Sequence, residues 1–421
     1  MKKIYVLGGG TFSHVRNHLS LATPAFGETA RAIHKKLCSM LDPGEYDVNL
    51  VLTKMADSSS KLVTNSDVSE LVDELVANPD TKGIVFNVAL TDYEGQIGDV
   101  SPSKYATRME TSKGQALMVL TPAEKIISKI RKTRKDIFAV GFKTTCGADE
   151  GVQYSKALRL MKLNSLNLVL ANDTGTRQNV IVAPEESRYC STTDREEVLD
   201  YLVQMMASRM KNTFTRSTVI PGDAVPWHSK EVPQALRAVV DHCIKRGAYK
   251  PFLGKTVGHF AVKIDDTVVL TSMRKSNFNE LATTGLVKIE ADGAHKVIAH
   301  GFKPSVGGQS QRIIFKEHPE LDCIVHFHCP LKENRTHEFA TKPQWPNECG
   351  SHECGKNTSD GLTRVDLGEG HYLEVVYLED HGPNIVFHQS TPSSKVIDFI
   401  ESNFSLDKKT GGIPEDAIFK V

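Results

Sequence analysis

At 421 residues, 40% hydrophobic and 24% charged, the chain is too long for one ordinary domain and suits two, each with a sizeable core. Its 51 basic residues balance 51 acidic ones, which excludes the one-sided charge of a protein working on nucleic acid or a membrane surface. Eight scattered cysteines without a secretory signal lead us to expect reduced thiols and a cytoplasmic location, and no apolar run reaches membrane-span length.

In chain order, the apolar strand Lys3–Leu7 runs into Gly8-Gly9-Gly10-Thr11, a pattern that lets backbone N–H groups approach a phosphate, with a helix expected next. Further apolar runs at Asp47–Leu52, Gly83–Ala89, Ile137–Gly141 and Asn167–Ala171 suit parallel strands covered on both faces. Between them lie helical stretches at Ala30–Leu41, Ser66–Val76, Pro122–Arg131 and Val152–Leu163. This alternation predicts a doubly wound, Rossmann-like α/β sheet with ligands beyond the carboxyl ends of its strands.

Several segments of this half, Gly9-Gly10-Thr11 with Val15-Arg16, Ala89–Tyr93, Phe138–Thr145, Ser155–Leu158, Val169–Asp173 and Arg177–Val180, resemble phosphopantothenoylcysteine synthetase, which activates a carboxylate with a nucleoside triphosphate. The resemblance covers about residues 1–211. It implies that Gly9, Gly10, Asp92, Phe142, Lys143 and Asn172 line a pocket for ATP or CTP, and that Arg16 faces the carboxylate substrate. The chain departs from the family after Val15-Arg16, where Asn17-His18 stands near the family's intermediate-stabilising Asn, and at the lysine pair, which aligns on Arg108. Arginine keeps the charge and can grip phosphate through two donors.

Residues 212–226 lose periodicity and read as a linker. Helical spacing resumes after Ser229, with Val232, Leu236, Val239, Val240, Cys243 and Ile244 as a core stripe and Gly247 past its end. The second domain is expected over 227–404, and 405–421 as an extended tail that could lie on a neighbouring subunit.

Cys323-Ile324-Val325 reads as a buried strand leading into His326-Phe327-His328, and alternation puts both imidazoles on one face. A second apolar strand, Tyr372–Leu378, ends near His381-Gly382. Three neutral imidazoles with an open position suit catalytic zinc, although strand histidines also occur as satisfied polar groups. Gly254–Val262, Leu270-Thr271-Ser272, Pro304-Ser305, the run from His318 to Pro330 and Asp380-His381-Gly382 resemble, in order and spacing, the class II aldolase/adducin family of zinc-dependent sugar-phosphate enzymes. The resemblance implies an α/β/α domain in which His326, His328 and His381 hold Zn²⁺ or another divalent metal, and a substrate phosphate near Thr256, Ser272, Arg274 and Ser305. His259 replaces an Asn of the family, Met273-Arg274 a Ser-Gly, and Val306 a Ser.

The family's acid/base Glu aligns on Gly307, which transfers no proton. The insertion Trp345–Gly355 supplies Glu348 and Glu353 as candidates, with His371 and Tyr372 further off; its Cys349, His352 and Cys354 read alternatively as a second metal site, or the loop as a subunit contact. The combined expectation is a zinc-dependent lyase on a small phosphorylated or anionic hydroxy-carbonyl compound, fused to a nucleotide-binding domain. By analogy it is a homo-oligomer, a tetramer in the aldolases, with no nucleic-acid or membrane partner. The alternatives are a synthetase-like ligase and a non-catalytic, adducin-like binding protein.

Overall fold

A computed structural model describes residues 1–305, 308–333 and 336–412, excepting the side chains of residues 308 and 309. The chain divides into two compact units. The first comprises Met1–Ala148, Lys156–Val182 and Cys190–Met210; the second comprises Asp149–Ser155, Ala183–Tyr189 and everything from Lys211 onward.

The first unit is built on a seven-stranded sheet of β1 (Lys2–Gly10), β2 (Tyr46–Leu52), β3 (Thr81–Ala89), β4 (Phe138–Thr145), β5 (Leu168–Asp173), β6 (Asn179–Val182) and β7 (Arg188–Thr192). Their order is β7-β6-β5-β4-β3-β1-β2, parallel from β2 through β5, with β6 antiparallel to β5. Ile4, Val6, Ile84, Val85, Val140, Leu168 and Leu170 are fully buried, as continuous β-branched and apolar runs require when both faces are covered. Because β2 and β3 flank β1 on opposite sides, the carboxyl ends of β1 and β3 form the switch point where open α/β sheets bind ligands.

The helices are α1 (Glu28–Met40), α2 (Asn65–Ala77), α3 (Ile127–Thr133), α4 (Glu150–Asn164) and α5 (Arg195–Arg209). A capping box starts α2: the Thr64 hydroxyl accepts from the Asp67 N–H, and the Asp67 carboxylate accepts from the Thr64 N–H. Two expectations fail here. The helix predicted after the glycines is instead a hairpin, Phe12–Arg16 against Leu19–Ala22, because Phe12 and Val15 favour extended backbone. The helix predicted from Pro122 begins only at Ile127, since Met118–Pro122 pairs antiparallel with Tyr93–Ile97.

The second unit carries a ten-stranded sheet of β8 (Arg216–Ile220), β9 (His259–Lys263), β10 (Val268–Ser272), β11 (Leu286–Ala291), β12 (Lys296–His300), β13 (Cys323–His326), β14 (Ala340–Lys342), β15 (Thr363–Gly368), β16 (His371–Leu378) and β17 (Gly382–Phe387). The order is β8-β12-β11-β10-β9-β13-β17-β16-β14, with β15 beside β16. Residues 212–226, read as a linker, thus include an edge strand, β8, which pairs parallel with β12 through its backbone while all five of its residues are exposed. Exposure on both faces removes the apolar alternation that would have revealed it.

On one face of this sheet pack α6 (Gln234–Lys245) and α8 (Ser393–Asn403), whose Leu236, Val239, Val240, Cys243, Val396 and Ile400 join Trp227, Tyr249, Phe260, Phe327 and Phe404 in one core. The predicted stripe is buried, but α6 starts at Gln234 because Pro233 sits at its N-cap in an extended conformation. On the other face, Ile314 and Phe315 of α7 (Gly308–Glu317) pack with Ala261, Val269, Val287 and Ile324. The tail to Gly412 folds onto its own chain, with Leu406 buried. Residues 413–421 lie outside the described residues.

Candidate metal centre

The strand β13 lies centrally between β9 and β17, so Cys323, Ile324 and Val325 are fully buried and His326 emerges in a desolvated position. Phe327 turns into the aromatic core and packs edge-on against Phe404, which returns His328 to the side of His326. From the adjacent hairpin, β16 ends at Leu378 and a tight turn through Asp380 (φ 56°) delivers His381. His326, His328 and His381 are at most 2% exposed. Their Nε2 atoms converge, with His326 to His381 at 3.2 Å and His381 to His328 at 3.1 Å.

Two glycines permit this approach. A Cβ on Gly382 (φ 148°) would stand 2.1 Å from the Phe327 carbonyl oxygen, and one on Gly258 (φ 100°) 2.6 Å from that of His326. The backbone of the His-x-His is sandwiched between them.

Carbonyl groups assign the tautomers. His326 Nδ1–H donates to Pro383 O and His328 Nδ1–H donates to Glu185 O, each at 2.7 Å, so both Nε2 atoms present lone pairs to the centre. One proton on His381 Nε2 can satisfy only one of its two short contacts. A divalent cation satisfies all three nitrogens at once. Zn–N arms of about 2.0–2.1 Å set in a tetrahedron span edges of about 3.3–3.4 Å, close to the separations found. Burial pushes His326 down to about 4, against a smaller opposing effect of the Pro383 carbonyl, so it is neutral, as a ligand must be.

Sequence reasoning missed a fourth imidazole. His259, noted only as a substitution for Asn, pairs across the sheet with His326, their ring centroids 4.8 Å apart. Its Nδ1 meets Gln311 Nε2 at 2.8 Å, and burial, then His326, hold its pKa well below the ordinary histidine value. The signal was available: Gly258–Val262 is a strand by pattern, and a neighbouring strand could bring its first residue beside His326.

The other predicted residues divide. Ser272, Arg274 and Ser305 come together, since Ser305 N–H donates to Ser272 O at 2.8 Å, Arg274 N–H donates to Lys303 O at 2.9 Å, and Met273 bridges to Pro304. Thr256 has its hydroxyl engaged locally, donating to Ser276 O and accepting from Phe278 N–H. The Glu353 carboxylate accepts from the Thr213 N–H at 2.9 Å and hydroxyl at 3.0 Å, so it ties down the start of the supposed linker. The Glu348 N–H donates to Asn212 at 2.6 Å. Among the described residues no carboxylate joins the histidine group, and Gly307 lies outside them.

Cys349, His352 and Cys354 form no metal cluster among the described residues. Cys354 Sγ is buried against Gln344, while His352 Nε2 meets the Thr215 hydroxyl at 3.0 Å. A trio that sequence did not suggest, His318, Glu320 and Glu374, does lie close together, but His318 Nδ1 meets Glu374 at 2.6 Å and its Nε2 meets the Ser359 hydroxyl at 3.2 Å. These contacts already engage both ring nitrogens of His318.

In the first unit, the glycines expected beyond the first strand lie within it. Gly9 and Gly10 pair with Val88 and Ala89, and a Cβ would fall 2.2 Å from the Thr53 hydroxyl at Gly9 and 2.0 Å from Thr23 O at Gly10. They admit the protein's own chain. Phe142, Lys143 and Asn172 stand at the carboxyl ends of neighbouring strands β4 and β5. Asp92 is exposed and paired with Lys125 at 2.5 Å, and Arg108 is exposed between β-hairpin strands. Arg16 is only 6% exposed; one of its nitrogens donates to Ile97 O, while Nε and Nη1 meet no acceptor among the described residues.

Comparison with curated proteins finds no match. Among solved structures, the chain is similar to the DNA/pantothenate metabolism flavoprotein from Streptococcus pneumoniae, at 20% identity and TM-score 0.42 over 49% of this chain and 99% of that one. The C-terminal domain of a coenzyme A biosynthesis bifunctional protein matches at 14% identity and TM-score 0.35 over 49% and 96%. An L-fuculose 1-phosphate aldolase matches at 14% identity and TM-score 0.29 over 45% and 94%. No helix among the described residues is long and apolar enough to cross a membrane. Residues 240–331 match the Class II Aldolase and Adducin N-terminal domain family, and this segment contains two of the three converging histidines.

Proposed function

We propose that the second unit is a metal-dependent lyase acting on a small phosphorylated or anionic hydroxy-carbonyl compound. The observation that carries this reading is the convergence of three buried imidazole nitrogens, two of them with tautomers set by backbone carbonyls. His326, His328 and His381 would hold zinc or another divalent ion, which supplies Lewis-acid polarisation of a substrate carbonyl when bound. Neutral His326 and His328 keep their lone pairs on the centre because Pro383 and Glu185 take their other protons. Ser272 and Arg274, with Ser305 hydrogen-bonded alongside, would offer hydroxyls and a guanidinium to an anionic group. A cytoplasmic homo-oligomer is part of this reading, and sedimentation of the purified protein tests its association.

The test measures zinc per chain on wild type and on His326→Ala, then exchange of a substrate C–H proton with solvent across a panel of sugar phosphates. About one zinc per chain, lost in the variant, with exchange on one substrate, supports a lyase. Zinc without exchange on any substrate points to a binding protein, and a wild type that takes up neither zinc nor another divalent ion removes the reading.

A second reading concerns the first unit and rests on Arg16. A buried guanidinium with two nitrogens lacking acceptors is costly unless an anion completes it, which favours a nucleotide or carboxylate ligand such as ATP, CTP or an acyl substrate. A thermal shift with ATP or CTP that disappears in Arg16→Met supports this; no shift with either nucleotide counts against it.

A further inference from the structure

We infer that a clamp made from the turn Pro184–Ser187 and the tail segment Lys409–Thr410 positions the histidine centre. Resting on the metal reading above, it assigns Glu186, Ser187 and Lys409 a role that neither resemblance implies. All of these residues belong to the second compact unit.

Grips from two directions hold His328. Its imidazole Nδ1–H donates to the Glu185 carbonyl at 2.7 Å, and its backbone carbonyl accepts from the Thr410 N–H at 2.9 Å. The two gripping residues each have a charged neighbour, and those neighbours, Glu186 and Lys409, form an ion pair with side chains 1% and 6% exposed. So deep a pair holds only with both members present, because removing one strands a buried charge. The turn and the tail are thereby fastened to each other across the residue they both hold.

The same turn reaches the third histidine. The Ser187 hydroxyl donates to the backbone carbonyl of Asp380, which precedes His381. Tyr154 completes the assembly by donating its hydroxyl to Glu186 O, and Gly411 passes so close that a Cβ would lie 2.4 Å from that oxygen. Glu186 holds φ at 68°, an unfavourable value for a residue with a side chain, and these contacts keep it there. Outer partners of metal-bound imidazoles fix ring orientation and tautomer, and their loss commonly weakens metal binding about 10–100-fold.

The experiment compares full-length wild type, Lys409→Met, Ser187→Ala and Val396→Ala. The last opens a cavity under α8, in the core shared with Phe327, and lowers stability without removing any hydrogen bond of the clamp. Two quantities are read: zinc affinity by competition with a chelator, and the visible spectrum of the cobalt-substituted protein, which reports ligand geometry. The expected result is a 10–100-fold weaker zinc affinity and an altered cobalt spectrum in both Lys409→Met and Ser187→Ala. Val396→Ala should keep wild-type affinity and spectrum despite a lower midpoint of unfolding. Should Lys409→Met fail to fold, Ser187→Ala, which removes a single hydroxyl, decides alone. Wild-type affinity and spectrum in the clamp variants overturn the clamp while leaving the metal centre standing. Equal weakening in Val396→Ala also overturns it, since the effect is then one of general stability. A wild type that takes up neither zinc nor another divalent ion overturns clamp and centre together.

Discussion

Strands β1 and β13 resemble one another in the sequence, each an apolar run leading into residues suited to a ligand, yet their ends serve opposite purposes. The glycines of β1 stay in the sheet and receive Thr53 and Thr23 of the same chain, so the space they leave is already filled. At the end of β13 two buried imidazoles meet a third from another hairpin, their Nε2 atoms 3.2 and 3.1 Å from that of His381. Small residues and ligating residues are equally visible in a sequence, but only the second kind carries its chemistry with it.

The contrast is broken most severely by Gly10→Val. Because the added carbon would meet the Thr23 backbone oxygen at 2.0 Å, the strand cannot yield cheaply, and we expect a loss of about 3 kcal/mol or more, read by denaturant unfolding. A fall within a few tenths would mean the strand end is roomy after all.

Zinc in excess tests the other side. At about 100 times its dissociation constant it should stabilise wild type by about 2.7 kcal/mol and leave His381→Ala unmoved. Stabilisation of the variant to the same degree would place the ion elsewhere.

A third test uses acid. The N–H groups of Thr176, Ala148 and Gly147 and the Thr145 hydroxyl donate to the Asp173 carboxylate and hold its pKa well below the ordinary range. The lowered folded value means its stabilising share is complete above the ordinary carboxylate pKa of about 3.9 and fades as pH falls below it. Thermal midpoints taken down to about pH 2 should therefore drop less steeply in Asp173→Asn than in wild type.

The smallest effect is expected at Glu353→Gln, which weakens two hydrogen bonds to Thr213 for about 1 kcal/mol and leaves zinc content unchanged. A collapse of proton exchange without loss of stability would restore Glu353 as an acid/base.

Legibility in the sequence followed burial. The five parallel strands of the first sheet and the stripe of α6 were readable because both faces, or one whole face, must be apolar. The grouping of the three histidines was readable because strand alternation fixes His326 and His328 to one side, and a turn glycine marks His381. Three things were hidden for physical reasons. β8 is exposed on both faces and leaves no periodic trace. His259 depends on which strands become neighbours, a long-range fact that local pattern does not carry. The turn Pro184–Ser187 meets the histidines through backbone oxygens and a hydroxyl, and its Glu186 pairs with Lys409, far along the chain, so local pattern says little about it.

The two glycines that flank the His-x-His backbone carry a further lesson for anyone transplanting this centre. A scaffold given three histidines at the same places, but with side chains where Gly258 and Gly382 stand, would hold the hairpin away from the strand, and the nitrogens would never come within reach of one ion. The blueprint of the site therefore has five positions, and two of them specify emptiness.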